Sequence, residues 1–324
     1  MNNYWNGKQV LVTGCVGFLG SWLTKSLVEH GANVVGLYRN LYPTSLLHKF
    51  GLDRQINLIR GSLEDRAVIE RIVEKYRIET IFHLGAQTDV QVAFRNPIDT
   101  FQSNIMGTCN ILEVARRSSG VKQVIVASSD KAYGTVDQLP YTEEMTLSGR
   151  FPYDVSKSAT DLITQSYYHT FGTPTAITRC GNLYGGGDLN FTRIVPGVIK
   201  SIIHNQQFII RSDGTFTRDY LYVKDAVNAY LCLAEGMEAN TSIHGQAFNF
   251  SSDKPYTVLE LFREIARISG RTVQVPLILN EANHEIRNQH LSSGKAGNIL
   301  GWTAEYNLKD SLEETFKWYS EFLE

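Results

Sequence analysis

Cysteine is scarce in this 324-residue chain. Its four residues, Cys15, Cys109, Cys180 and Cys232, are widely scattered, with no C-x-x-C pair and no histidine at ligand spacing. That pattern speaks against a disulfide framework and a structural zinc site, and no metal is expected. Buried free thiols in a reducing compartment are the expected use. An excess of charge of one sign is also missing. Lysine plus arginine number 31 and aspartate plus glutamate 33, a net of −2, so a polyanion-binding surface and a nucleic-acid partner are not expected. No apolar run approaches the roughly 18 residues that span a bilayer. The opening MNNYWNGKQV has no signal-peptide pattern, so a cytoplasmic protein with no membrane partner is expected. Internal repeats, low-complexity tracts and Pro- or Ser-rich linkers are absent as well.

What remains is an ordinary globular mix, 43% apolar and 20% charged. The length suggests two domains, or one with a sizeable appendage. Short β-branched runs at Gln9–Thr13, Asn33–Leu37, Ile56–Arg60, Thr80–Leu84, Gln123–Ser128 and Thr175–Arg179 read as strands. Between several of them lie stretches of helical period, Leu19–Glu29, Asp65–Tyr76, Thr100–Arg117 and Val155–Phe171. Such alternation predicts right-handed βαβ units, and continuously apolar strands fit a parallel sheet covered on both faces. The fold class is therefore α/β, with a doubly wound parallel sheet. After Arg179 the rhythm breaks. Gly185–Gly187 and Asn205–Gly214 read as loops, while helix Val223–Gly236 and strand Ala247–Ser251 return to the main sheet. From Tyr256 on, two more helices are expected, the last at Leu308–Leu323. Residues 1–179 with about 219–251 are read as one domain, and 180–218 with 252–324 as a smaller, discontinuous α/β lobe.

The first strand runs directly into Gly14-Cys15-Val16-Gly17-Phe18-Leu19-Gly20, which opens a helix. A glycine loop at that junction lets the backbone approach a pyrophosphate, whose charge the helix N-terminus stabilises. Three glycines alone also suit a tight turn. The second strand ends in Tyr38-Arg39-Asn40, with no acid for a ribose hydroxyl. Arg39 can stack on adenine or pair with a 2′-phosphate, which leaves NAD and NADP both open. Ser128-Ser129 ends the fifth strand, at the edge where doubly wound sheets bind ligands. Tyr153 and Lys157 stand four apart on one helix face, where an ammonium can favour the phenolate. In Ser129-Asp130-Lys131 an acid and an amine follow the strand end, suited to proton transfer if burial tunes them.

These motifs resemble the extended short-chain dehydrogenase/reductase family, the nucleotide-sugar epimerases and dehydratases. The likeness extends through Phe82-His83-Leu84-Gly85-Ala86-Gln87, Asn104 with Gly107-Thr108, Arg179–Gly185, Arg218-Asp219-Tyr220 and Gly301-Trp302. It implies a Rossmann domain with a nucleotide-sugar-binding lobe. In that family NAD(P) stays bound and is reduced and reoxidised within one turnover. The resemblance implies cofactor contacts from Gly14, Gly17, Phe18, Leu19, Gly20, Arg39, Ser62, Leu63, Leu84, Ala86, Asn104, Tyr153, Lys157 and Cys180. Tyr153 would take the proton of the sugar 4-hydroxyl, Lys157 would hold the nicotinamide ribose, and Ser129 would hydrogen-bond the reacting oxygen. Asn182 and Arg218, with Arg193 and Arg287, would meet the nucleotide and its diphosphate, and Gln87 and Thr88 the sugar. The pair Asp130-Lys131 is similar to that of CDP-glucose 4,6-dehydratases, with Asp130 as acid and Lys131 as base. His284-Glu285 and Lys295-Ala296 are similar to that group too. A sugar-nucleotide dehydratase acting on CDP-glucose is therefore expected. A 4-epimerase needing only Ser129, Tyr153 and Lys157, and a non-catalytic NAD(P)-binding sensor, are the alternatives. Apolar positions Phe101, Ile105, Ile111, Leu112, Leu162, Ile163 and Tyr167 on two helices imply, by the resemblance, a homodimer or a tetramer of dimers.

Overall fold

A computed structural model describes residues 4–41, 43–281 and 286–324. The chain opens with β1 (Gln9–Thr13), α1 (Phe18–Glu29), β2 (Asn33–Tyr38), the short α2 (Leu46–Lys49), β3 (Asn57–Arg60), α3 (Arg66–Tyr76) and β4 (Thr80–His83). Next come α4 (Val90–Arg95), α5 (Pro97–Phe101), α6 (Gly107–Arg117), β5 (Gln123–Ala127), α7 (Pro152–Phe171) and β6 (Thr175–Cys180). Then follow β7 (Asn182–Tyr184), α8 (Ile194–Ile203), β8 (Ile209–Ile210), β9 (Thr217–Tyr222), α9 (Val223–Ala239) and β10 (Ala247–Phe250). The chain ends through β11 (Pro255–Thr257), α10 (Val258–Ser269), β12 (Leu277–Ile278), α11 (Gly294–Leu300) and α12 (Leu308–Leu323).

Seven strands form one sheet in the order β10-β6-β5-β4-β1-β2-β3, and every pair in it is parallel. It is the doubly wound arrangement the alternating pattern predicts. One apolar layer joins α1 and α9 to the sheet through Leu23, Leu27, Tyr230 and Leu233. Another joins α3 and α6 through Ile69, Ile72, Ile111 and Leu112. Strand order reverses between β1 and β4, where the loops leaving the two strands part and a crevice opens. Buried His83 ties that point together: its ring nitrogens lie 2.9 Å from Thr13 Oγ1 and 3.0 Å from Thr108 Oγ1. Burial pulls its pKa down to about 3, so the ring is neutral.

The remaining elements pack beside the carboxyl ends of the strands. β11-β9-β7 make a three-stranded sheet and β12-β8 a two-stranded one. Helices α8, α10 and α12 bury Val198, Ile202, Phe262, Leu312 and Tyr319 against one another. Three details differ from the sequence reading. The loop expected over 205–214 carries the two-residue strand β8. The helix expected over 100–117 begins at Pro97 and carries a π turn at Gln102–Met106. There the Asn104 carbonyl accepts the hydroxyls of Thr108 (2.6 Å) and Thr160 (3.1 Å), which loosens the regular ladder. The tail also holds three helices rather than two, because α11 forms and closes on Gly301. Among the described residues no helix is long and apolar enough to cross a membrane.

Candidate active site

A cleft of about 1280 Å³ runs along the carboxyl edge of the large sheet, between it and the smaller sheets. At its floor β1 turns into α1. Gly14 has φ 70°, and a Cβ there would stand 2.9 Å from the Gly85 backbone. A Cβ on Gly20 would lie 2.1 Å from the Gly14 carbonyl oxygen. Only glycine closes this turn, and the first turn of α1 has neither a capping side chain nor an acid. Its free amide groups face an approachable backbone, the cradle a dinucleotide pyrophosphate needs. Gly17, Phe18, Leu19, Arg39, Ser62, Leu63, Leu84, Ala86 and Cys180 line the same cleft, with Arg39 exposed at the end of β2. Asp65 caps α3, accepting from Ala67 N and Val68 N.

Farther along, β5 ends in the tight turn Asp130–Tyr133, and the Ser129 hydroxyl caps it by accepting from Lys131 N at 3.2 Å. Ser129, Asp130, Lys131, Tyr153 and Lys157 all line the cleft. Asp130 is only 2% exposed. Its Oδ1 accepts from the Ser129 hydroxyl at 2.9 Å, while its Oδ2 has no partner among the described residues. The Lys131 amine donates to Gln289 Oε1 at 2.6 Å. Lys157 is buried, donates to the Ala127 carbonyl at 2.7 Å, and is brought down to about 8 by that burial. The Tyr153 phenol is pushed well above its ordinary value, first by burial and then by the Asp130 charge, with Arg193 and Ser129 acting against them. Helix α7 is anchored from behind by a buried ion pair, Arg179 Nε to Asp161 Oδ2 at 2.7 Å, and the same guanidinium reaches the Tyr133 hydroxyl.

Asn182, Arg193, Arg218 and Thr88 also face the cleft, Arg193 paired with Asp188 at 3.0 Å. Three expected residues stand elsewhere. Asn104 is buried behind the cleft, where its amide holds Gln87 N and O and the Ser156 hydroxyl, so it fixes the loop after β4 rather than a cofactor. Gln87 bonds its side-chain amide to the Asp89 carbonyl at 2.9 Å and does not itself line the cleft. Arg287 presents its backbone carbonyl to Arg218 at 2.9 Å, which turns its own side chain outward onto Asp213 at 3.2 Å. His284 and Glu285 lie outside the described residues.

Two residues of this region were not found from sequence. Gln289 reaches Lys131 from far along the chain, with no local signal. Asp154, 3% exposed and lining the cleft, could have been found, since it stands three before Lys157 and so shares its helix face. Burial raises its carboxyl to about 6, against the pull of the Lys131 charge. Lys131 thus has a buried carboxyl of α7 within electrostatic reach. The sign of the Asp154 shift sets a test. Its native proton affinity exceeds its unfolded one, so stability falls as pH rises from about 4 to 6 and the buried charge is complete above that. Asp154→Asn should melt roughly 2–4 °C above the parent at pH 8, with the gap closing near pH 4 in parallel thermal melts.

Comparison with known proteins follows the same lines. The family model described as GDP-mannose 4,6 dehydratase matches residues 11–315. CDP-glucose 4,6-dehydratase of Salmonella typhimurium is 29% identical over 99% of this chain and 93% of its own length. The structure of UDP-glucose 4-epimerase from Thermotoga maritima with UDP-glucose has a TM-score of 0.89 at 30% identity, covering 98% of this chain and 100% of that one. A dTDP-glucose 4,6-dehydratase from Bacillus anthracis, solved with NAD, shares the fold with a TM-score of 0.85 at 22% identity, over 97% of each chain. Because the family match runs from the first strand of the large sheet into the last helix, it takes in both walls of the cleft, and the chain belongs to the GDP-mannose 4,6 dehydratase family.

Proposed function

We propose that this enzyme is an NAD-dependent sugar-nucleotide 4,6-dehydratase that converts CDP-glucose to CDP-4-keto-6-deoxyglucose. One observation carries the reading: an acid and an amine, Asp130 and Lys131, both line the cleft beside Tyr153, with Asp130 almost fully buried. A solvated surface dipeptide would not be so placed. The choice of CDP-glucose rests on the Asp-Lys pair and on the Salmonella relative.

The glycine cradle and the open first turn of α1 fit a dinucleotide. Bound there, NAD would supply a cationic ring favouring the Tyr153 phenolate and the hydride exchange at sugar carbons 4 and 6. Tyr153 takes the proton of the 4-hydroxyl, and Ser129 stabilises the oxygen as it becomes a carbonyl. The new ketone acidifies carbon 5. Lys131, as the neutral amine, removes that proton while Asp130 gives one to the 6-hydroxyl, which departs as water and leaves a carbon 5–carbon 6 double bond. Lys131 returns its proton to carbon 5 as carbon 6 is reduced. Over the cycle Tyr153 gains one proton and Asp130 loses one, and solvent exchange restores both. Arg193, Arg218 and Asn182 hold the diphosphate, and that remote binding orients the hexose.

A mass-spectrometric screen of CDP-, UDP-, GDP- and dTDP-hexoses tests this, with water loss from CDP-glucose expected. The Thermotoga likeness supports a second reading, a 4-epimerase. An isomer of unchanged mass would support that one instead.

The proposal includes a two-fold dimer. Ile111 and Leu112 are buried in the monomer core, but Phe94 (62%), Ile98 (67%), Met106 (47%) and Leu162 (54%) are exposed on the helices that flank α6 and α7 or on those helices' own surface. Sedimentation should show a dimer, and the pair Ile98→Glu with Leu162→Glu should weaken it roughly a hundredfold. A parent protein that sediments as a monomer contradicts this.

A further inference from the structure

We infer that Gln289 is the positioning residue for the carbon 5 proton transfer, holding the Lys131 amine through a neutral acceptor; this rests on the dehydratase reading above. Gln289 is fully buried, and its Oε1 accepts a hydrogen bond from Lys131 Nζ at 2.6 Å. Its backbone is fixed on both sides. Gln289 N donates to the Thr217 carbonyl at 3.1 Å and Thr217 N to the Arg287 carbonyl at 3.2 Å, which ties the segment to β9. Tyr141 N donates to the His290 carbonyl and Ser292 N to the Tyr141 carbonyl, both at 2.9 Å, which ties it to the loop after the catalytic turn. Leu291 N donates to buried Asp219 as well. With its backbone held at these points and its side chain fully buried, the amide has little room to follow the amine.

The chemistry explains why the acceptor is an amide. A lysine that takes a proton from carbon must spend part of each turnover neutral. A carboxylate partner would hold it as the ammonium, whereas an amide oxygen aligns it without adding charge. A carboxyl group is already near: Asp154 of α7 lies within electrostatic reach of Lys131. Tyr153 of α7 and Tyr141 of the following loop stand against Asp130, and Arg218 of β9 acts on Tyr141. A carboxylate in direct hydrogen-bond contact with the amine would tip the balance.

Two variants of the intact enzyme test the inference, after the parent is shown to release water from CDP-glucose and to lose that activity in Lys131→Met. Gln289→Met removes the acceptor at similar volume. It should lower kcat and solvent-deuterium incorporation at carbon 5 roughly ten- to a hundredfold, with KM within about twofold and the transient reduced-cofactor absorbance forming at the parental rate. Gln289→Glu keeps the shape and adds a charge. It should move the acidic limb of the kcat–pH profile upward by about one pH unit or more, with activity recovering on the alkaline side. If Gln289→Met fails to fold, the Gln289→Glu profile decides alone. Parental kcat and pH profile in both variants, or an equal loss of the carbon 4 and carbon 5 steps, overturns the inference and leaves the dehydratase reading standing. A parent that releases no water from any nucleotide sugar overturns both.

Discussion

Lys131→Met stops the loss of water while leaving oxidation at carbon 4 intact. In a single turnover with CDP-glucose, the absorbance of reduced cofactor should rise and persist, and the 4-keto-6-deoxy product should form roughly a thousandfold more slowly, within the range for removal of a general base. The argument is geometric. Lys131 and Tyr153 come from different elements, the turn after β5 and the first turn of α7, and each has its own support. Methionine keeps most of the lysine stem, so the turn, whose Ser129 cap holds Lys131 through its backbone amide, retains its shape. Parental rates of product formation in this variant would remove Lys131 from the mechanism.

Tyr153→Phe should behave differently, silencing both signals. Without the phenol oxygen the 4-hydroxyl proton has no acceptor, so neither reduced cofactor nor product should appear above roughly a hundredth to a ten-thousandth of the parental rate. The two variants thus divide the reaction at the ketone. Stopped-flow absorbance with product mass, measured side by side, checks them together. A Tyr153→Phe enzyme that still builds up reduced cofactor would mean that another group takes the proton, and buried Asp154 would be the first to examine.

How far the fold could be read from the chain depended on range. The strands β1 to β6 were legible because parallel strands covered on both faces are uniformly apolar, and the cap at Asp65 because capping is local. The short strands were not. β8 and β12 have two residues each and pair across the chain, so no window of sequence carries their signal. The same contrast holds in the site. Ser129-Asp130-Lys131 and Tyr153–Lys157 were legible as local spacings at strand and helix ends. Gln289 was not, since it lies 158 residues from the amine it holds. Arg287 and Asn104 were misplaced for a related reason. Residue type suggested ligand binding, but backbone contacts with Arg218 and Gln87 decide where those side chains go.

The central claim is that an acid and a base at the end of β5 convert an oxidised sugar into an eliminated one. Turnover of CDP-glucose by the parent enzyme in heavy water, followed by mass and proton spectra of the product, tests it most directly. The product should be lighter by one water and carry solvent deuterium at carbon 5, where Lys131 returns a proton. A product of unchanged mass, inverted at carbon 4 and free of deuterium at carbon 5, would contradict it.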